Sequence, residues 1–251
     1  DHYLDGRGQQ DCTLQPVVPA PRRVCTCAVA RPAKKGALPM IELRRFQGAG
    51  RACFAWLPPQ AAQGPVAAVY CNGGDSLEER LEEILEGLVP QMGTGLPPFA
   101  LIGVAPTSWE QEFSPWPAPA LGKKSPAFTG GCDAYLADLT GPILAQAEAQ
   151  FPLSPRREDR MLAGYSLGGL ASLYALYQTG VFGGVASLSG SLWFPGWVEF
   201  AQSHRPLAPD TRVYLSLGQG EEKSRHPLMR QVGDCTRCTA EILTHQLSRP
   251  P

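Results

Sequence analysis

Ser166 has the sequence surroundings of a nucleophile. It stands in Gly164-Tyr165-Ser166-Leu167-Gly168, which follows the apolar segment Met161–Ala163 and precedes a run rich in leucine and alanine. A serine at a tight turn from a strand into a helix forms a nucleophile elbow, and small residues two positions to either side leave the room that this turn needs. The pattern therefore predicts that Ser166 attacks acyl carbons.

A serine nucleophile requires a base that accepts its proton and backbone N–H groups that stabilise the oxyanion. The sequence predicts one N–H donor at Leu167, where the helix after Ser166 begins. It predicts the second donor at Gly73, because the glycines of Cys71-Asn72-Gly73-Gly74-Asp75 let the backbone approach a substrate closely. A plain tight turn explains that loop equally well.

The other members of a serine triad follow later in the chain, first the acid and then the histidine. After the predicted strand Arg212–Leu217, the acid is expected at Glu221, with Glu222 as the alternative. Two glutamates are also typical of the first turn of a helix. No further strand with a histidine follows in the sequence, and His204 and His226 are the alternative bases. We therefore expect the catalytic histidine to be missing and the activity to be impaired.

Short apolar runs alternate with helical segments, which favours an α/β fold with a doubly wound, mostly parallel sheet and helices on both faces. The last strand and helix of such a fold are missing from the pattern. Ser76 and Glu79 have the spacing of a capping box at the start of the first helix, which then presents an apolar stripe. The predicted strands are Ile41–Gln47, Ala52–Leu57, Val66–Cys71, Phe99–Ala105, Arg160–Tyr165, Gly184–Leu188 and Arg212–Leu217, and the later helices are Cys132–Gln150, Leu167–Gln178 and Pro227–Gln246.

Composition indicates one domain and a small neutral partner. The 251 residues, 43% of them apolar, can bury one core, which we place at residues 40–251. Residues 1–39 show no helical or strand period and are predicted to be a disordered or non-native leader. The net charge of -1 gives no reason to expect nucleic acid or a membrane as a partner. Without a long apolar run or a secretory signal, the expected location is cytoplasmic, and the oligomeric state stays open.

The eight cysteines are scattered over a chain large enough to fold without covalent links, so we expect reduced thiols. Cys25 with Cys27 and Cys235 with Cys238 have spacings that zinc ligands use. No histidine is suitably placed beside either pair, and we expect neither a metal nor another cofactor.

Several segments together are more specific than the elbow alone. They are Ala163–Leu170, Ser187–Phe194, Tyr214–Gly218 followed by Glu221–Lys223, and Phe113–Trp116. In these segments the chain from Met40 onward resembles the "Putative esterase" family of α/β-hydrolases, which includes enterochelin-type esterases.

The resemblance implies an α/β-hydrolase fold and hydrolysis of a small-molecule ester. It implies Ser166 as the nucleophile, Glu221 or Glu222 as the acid, and Trp193 near the substrate cleft. In the family the base lies on a loop of the Gly-Gly-His type after a further strand, and this sequence departs from the family there. The alternative hypothesis is a non-catalytic homologue that binds a ligand in the same pocket.

Overall fold

A seven-stranded sheet forms the centre of the molecule. The structure is a computed structural model that describes residues 42–251; the predicted leader 1–39 and Ile41 lie outside the described residues. The strands are β1 (Leu43–Gly48), β2 (Arg51–Trp56), β3 (Ala67–Asn72), β4 (Phe99–Val104), β5 (Pro117–Ala118), β6 (Phe128–Thr129), β7 (Arg160–Tyr165), β8 (Gly184–Leu188) and β9 (Arg212–Ser216).

The order of strands in the sheet is β1-β2-β4-β3-β7-β8-β9. β2 pairs antiparallel with β1 and β4, whereas β4, β3, β7, β8 and β9 run parallel to one another. The prediction of a mostly parallel sheet is therefore confirmed. Because the parallel strands share a direction, β3 and β7 both end at the edge where chemistry is expected in such sheets.

Helices pack on both faces of the sheet. They are α1 (Gly74–Glu79), α2 (Leu81–Leu88), α3 (Trp109–Glu112), α4 (Cys132–Asp138), α5 (Leu144–Gln150), α6 (Leu167–Gln178), α7 (Trp197–Ser203) and α8 (Val232–Gln246). Side chains alternate between the faces along a strand. Tyr70 of β3 accordingly belongs to the large core with α4 to α8, while the neighbouring Val69 packs with Leu81 and Leu85 of α2 in a smaller core.

Three predicted helices differ from the structure, two at their start and one in its interior. The first begins at Gly74 without a side-chain cap, so the capping box at Ser76 is wrong, and it breaks at Arg80. The helix predicted over residues 132–150 contains a π-helical stretch, Leu139–Ile143, at Pro142. Proline has no N–H for the helical ladder, which explains the irregular turn. The last helix begins at Val232, after a 3₁₀ turn.

One face of the sheet leaves large apolar side chains exposed. Tyr165 of β7 pairs with Leu188 of β8, and Met161 and Tyr214 lie on the same face of β7 and β9. All four are exposed, and β9 forms an edge of the sheet. Within residues 42–251, this face of the sheet thus presents an apolar surface beside an edge strand.

The cysteines do not all match the expectation of reduced thiols. Cys238 is disulfide-bonded, so that expectation is wrong at this position, whereas Cys53, Cys71 and Cys132 are reduced. Within residues 42–251, no three histidine, cysteine or acidic side chains are grouped so that they could hold a metal ion. In the same part of the chain, every helix is too short or too polar to cross a membrane.

Candidate active site

Ser166 occupies a strained turn between β7 and α6. Its backbone angles are φ 55 and ψ -122, a conformation that costs free energy for any residue with a side chain. The surrounding hydrogen bonds hold it there. The Ser166 N–H donates to the Leu188 carbonyl at 3.1 Å, and the Ser166 carbonyl accepts from Gly169, Leu170 and Ser191 at 2.9 to 3.1 Å. This geometry is that of the nucleophile elbow that the sequence predicts.

The glycines around Ser166 are required by close backbone contacts. A Cβ atom on Gly164 would lie 2.2 Å from the Gly168 carbonyl oxygen, and one on Gly169 would lie 2.9 Å from Ser187 Oγ. A Cβ atom on Gly168 would come within 3.3 Å of Asn72 Cβ. β7 and the first turn of α6 therefore pack too closely for larger residues at position 164.

Leu167 is the first residue of α6. The first N–H groups of a helix have no partner within it and carry the positive end of its dipole. The first helical donor to Ser166 O is Gly169, so the Leu167 N–H is not part of the helical ladder. It lies directly after Ser166 and is available to an oxyanion beside it.

Gly73 does not have the geometry predicted for it. Its N–H donates to the Val104 carbonyl at 3.1 Å, which directs this amide into the sheet. Its φ of 85 suits glycine, and the Trp109 ring would lie 2.6 Å from a Cβ atom there. The next amide, that of Gly74, begins α1. We call residues 72–74 the glycine loop.

The two candidate acids lie just past β9 and have other partners. Glu221 Oε1 accepts from the Gly218 N–H at 3.1 Å, within its own turn. Glu222 forms two hydrogen bonds with Arg237 of α8, at 3.2 and 3.0 Å. The hydrogen-bonded Arg237 guanidinium lowers the pKa of the Glu222 carboxyl. Glu221 has no cationic partner among these contacts, so its carboxylate is less constrained than that of Glu222.

Neither alternative histidine contacts Ser166 among the described residues. The exposed ring of His204 stacks on Phe200, and its Nδ1 is 2.9 Å from the Phe200 carbonyl. His226 Nε2 donates to the Leu121 carbonyl at 2.9 Å. Its Nδ1 is buried and has no hydrogen-bond partner within residues 42–251. The His204 ring thus contacts only the end of α7, whereas the His226 ring links its segment to Leu121.

Ser191 is a hydrogen-bond partner of Ser166 that sequence reasoning did not assign. Its Oγ lies 3.1 Å from Ser166 Oγ, and its N–H donates to the Ser166 carbonyl at 2.9 Å. The side chain is 3% exposed. Ser191 belongs to the segment Ser187–Phe194 that carries the resemblance, but its type and position alone do not reveal the contact.

The tryptophan at the cleft is Trp109 rather than Trp193. Trp193 is 5% exposed and packs between Phe128 and Phe194, at ring-centroid distances of 6.4 and 6.5 Å. It is therefore a core residue. Trp109 lies over Gly73 and lines the cavity beside Ser166. Trp109 lies in α3, which follows β4 in the chain.

The cavity at Ser166 has a volume of about 630 Å³. It extends from the glycine loop along the open face of the sheet, between α1, α2 and the ends of β7 and β8. Its walls include Leu77, Ile84 and Leu188, with Glu79 and Arg80 among the polar lining residues. A volume of this size suits a small molecule, and the walls are mainly apolar.

Cys71 also lines this cavity, and burial of its thiol raises its pKa to about 12. The thiolate is the reactive form. At pH 8 we therefore expect iodoacetamide to alkylate Cys71 roughly 1,000-fold more slowly than an ordinary thiol. The rate should keep rising above pH 9, because a raised pKa delays loss of the proton. Mass spectrometry of the Cys71 peptide at successive times measures the alkylation rate, and urea-unfolded protein is the control. A rate that levels off near pH 9 contradicts the prediction.

Comparisons with known proteins bear on the family and the fold of the chain. The family model described as "Esterase: Putative esterase" matches residues 49–242. The chain is 30% identical over 193 residues to the "Uncharacterized protein YbbA" of Bacillus subtilis (strain 168), and this alignment covers 76% of each of the two chains. The fold of the present chain is similar to that of an IroE-like serine hydrolase from Shewanella oneidensis. The TM-score is 0.68, the sequence identity is 20%, and the similarity covers 82% of this chain and 69% of that one. The siderophore hydrolase EstA from Aspergillus nidulans is similar with a TM-score of 0.63, 18% identity, and coverage of 89% and 90%.

Proposed function

Since the chain belongs to the "Putative esterase" family of α/β-hydrolases, we propose that it is a serine carboxylesterase-type hydrolase that acts on an ester of a small molecule. The observation that carries this proposal is the strained elbow at Ser166, with φ 55, held by four backbone hydrogen bonds. Strain that the surroundings maintain so completely is typical of functional sites. Ser166 Oγ is the proposed nucleophile.

The oxyanion is proposed to bind two backbone amides at the open end of the sheet. The Leu167 N–H supplies one, assisted by the amino terminus of α6. The Gly74 N–H replaces that of Gly73 as the second, because the Gly73 amide is bonded to Val104. Gly74 packs directly on β4, where a Cβ atom would lie 2.5 Å from the Gly103 carbonyl carbon.

Glu221 remains the proposed acid, because Arg237 already binds Glu222. The hydroxyl of Ser166 is bonded to Ser191 Oγ, and a second hydroxyl is a much weaker base than an imidazole. We infer that hydrolysis by this chain is slow. The oxyanion site and substrate binding alone still accelerate such reactions by ~10³-fold over water.

The substrate class is proposed from the cavity and from the relatives. One structural relative is named a siderophore hydrolase. The cavity of about 630 Å³ beside Ser166 has room for a small ester, and apolar side chains dominate its wall. A neutral or weakly charged ester fits a chain whose net charge is only -1.

A serine-reactive fluorophosphonate probe tests the proposal. Folded protein should form one covalent adduct, and the modified peptide should contain Ser166. Hydrolysis of aryl esters above the rate in buffer should accompany labelling and should decline as the probe reacts. Folded protein that gives no adduct after long incubation would refute the esterase proposal.

The bond between Ser166 and Ser191 also favours a second candidate function. A homologue in which the serine hydroxyl has no base as its partner can bind a ligand in the cavity without turning it over. Calorimetric titration of Ser166→Ala distinguishes the two functions. Unchanged binding in the variant, together with no turnover by the native chain, supports the binding protein.

A further inference from the structure

We propose that Asn72 is a positioning residue, which fixes the glycine loop against the first turn of α6 and thereby sets the distance between the two oxyanion donors. This inference rests on the proposed function. Asn72 is the last residue of β3 and is 5% exposed. Its side chain crosses from β3 to α6, and every polar atom of its amide is used.

The contacts fix which way the amide points. Asn72 Nδ2 donates to the Gly168 carbonyl at 3.1 Å and to Ser172 Oγ at 3.0 Å. Asn72 Oδ1 accepts from the Tyr135 hydroxyl at 2.7 Å. Since only the NH₂ group can donate to a carbonyl, the amide cannot be turned round. The side chain is held in one orientation from two sides.

The position of Asn72 in the chain relates it to both donors. Gly74 lies two residues after it, and Leu167 immediately precedes the Gly168 that it binds. Gly168 packs against the glycine loop, because a Cβ atom there would lie 3.3 Å from Asn72 Cβ. Oxyanion donors act only over a narrow range of distance, and a displacement of about 1 Å costs ~100-fold in rate. The amide of Asn72 is the side-chain link that prevents such a displacement.

Tyr135 anchors Asn72 to a rigid part of the core. Its ring is fully buried, and the Arg51 guanidinium lies 5.2 Å from the ring centroid. Arg51 in turn binds Glu112 at 2.5 Å and Asp138 at 2.8 Å. Burial raises the pKa of Tyr135 well above its ordinary value, so its hydroxyl stays protonated as a donor. Tyr135 thus connects the glycine loop to a partly buried ion-pair cluster behind it.

The experiment compares rates of Ser166 phosphonylation, because the phosphonyl oxygen occupies the same donors as an oxyanion. Asn72→Ala should lower this rate by about 10- to 100-fold, and should lower kcat for an aryl ester with little change in KM. Tyr135→Phe, which removes only the anchor, should lower the rate several-fold. If Asn72→Ala does not fold, the labelling rate of Tyr135→Phe tests the positioning role of Asn72.

Thr239→Val is the matched control for lost stability. It removes a buried hydrogen bond from Trp197 Nε1 at 3.1 Å, within the packing of α7 and α8. The variant should lose stability and keep the wild-type labelling rate. If Asn72→Ala is labelled as fast as the wild-type chain, the positioning role is wrong while the esterase proposal stands.

Hydrogen exchange gives a second readout that does not need activity. In Asn72→Ala, the amides of the glycine loop and of Leu167 should exchange faster than in the wild-type chain, while those of α8 stay unchanged. If the wild-type chain is not labelled at all, the esterase proposal fails. Hydrogen exchange alone then tests whether Asn72 fixes the glycine loop against α6. If the amides of the glycine loop exchange in Asn72→Ala at the wild-type rate, the positioning role of Asn72 is overturned.

Discussion

Replacing Ser166 with alanine is expected to abolish covalent labelling by a fluorophosphonate and to reduce aryl-ester hydrolysis to the residual rate that the proposed oxyanion donors and substrate binding support by themselves. The hydroxyl is the atom that forms the bond to the acyl or phosphonyl group, and no neighbour can substitute for it. Ser191 Oγ lies 3.1 Å away but is buried, with 3% exposure. In serine hydrolases the loss of the nucleophile costs ~10³-fold or more.

Intact-protein mass spectrometry measures the adduct, and thermal unfolding verifies the fold of the variant. Ser166→Ala should unfold near the wild-type temperature, because it removes one half-buried hydroxyl, whose contact is Ser191 Oγ, and leaves the apolar core intact. Ser203→Ala is the matched control, since Ser203 is an exposed serine on α7 whose hydroxyl contacts only the Glu199 and Phe200 carbonyls and the neighbouring His204 ring. That variant should label fully. An adduct on Ser166→Ala would assign the nucleophile to another residue.

Gly164→Ala is expected to lower the free energy of unfolding by more than about 4 kcal/mol, at the upper end of single substitutions. The added Cβ atom would lie 2.2 Å from the Gly168 carbonyl oxygen and 2.9 Å from the Gly169 nitrogen. Both are backbone atoms of α6, so no side-chain rotation relieves the overlap. Either β7 or the first turn of α6 must move, and the elbow moves with it.

Urea unfolding monitored by circular dichroism measures this change. Gly87→Ala is the control of opposite sign, because Gly87 is in α2 and a Cβ atom there would meet nothing within 4 Å. It should raise the free energy of unfolding by roughly 0.5–1 kcal/mol. If Gly164→Ala were within 1 kcal/mol of the wild-type value, as a measured difference, the close packing at the elbow would be wrong.

Local patterns were sufficient for the elements that depend on hydrophobic periodicity. The strand Arg160–Tyr165 and the helix Leu167–Gln178 were predicted with the ends that the structure has. The helix over residues 132–150 also has the predicted ends, but its π-helical interior was not predicted, because the sequence does not show whether the chain kinks, stops or adopts a wider turn at Pro142. Packing of Leu139 and Ile143 in the core favours the wider turn.

Roles that depend on contacts between distant segments were less predictable. Gly73 has the residue type of an oxyanion donor, but the partner of its amide, Val104, lies on another strand. Trp193 could have been at the cleft or in the core, and its burial against Phe128 is a property of the folded chain. Glu222 was a plausible acid until α8 placed Arg237 beside it.

The sequence by itself determined the elbow, because Gly164, Ser166 and Gly168 encode a local turn whose steric needs are met within a few residues. It also determined the mostly parallel sheet, since apolar runs of strand length alternate with helices. Only the tertiary structure decided what surrounds Ser166. Ser191 lies 25 residues from Ser166 and Asn72 lies 96 residues from Gly168, and such hydrogen bonds depend on strand order and helix packing, which sequence spacing does not encode.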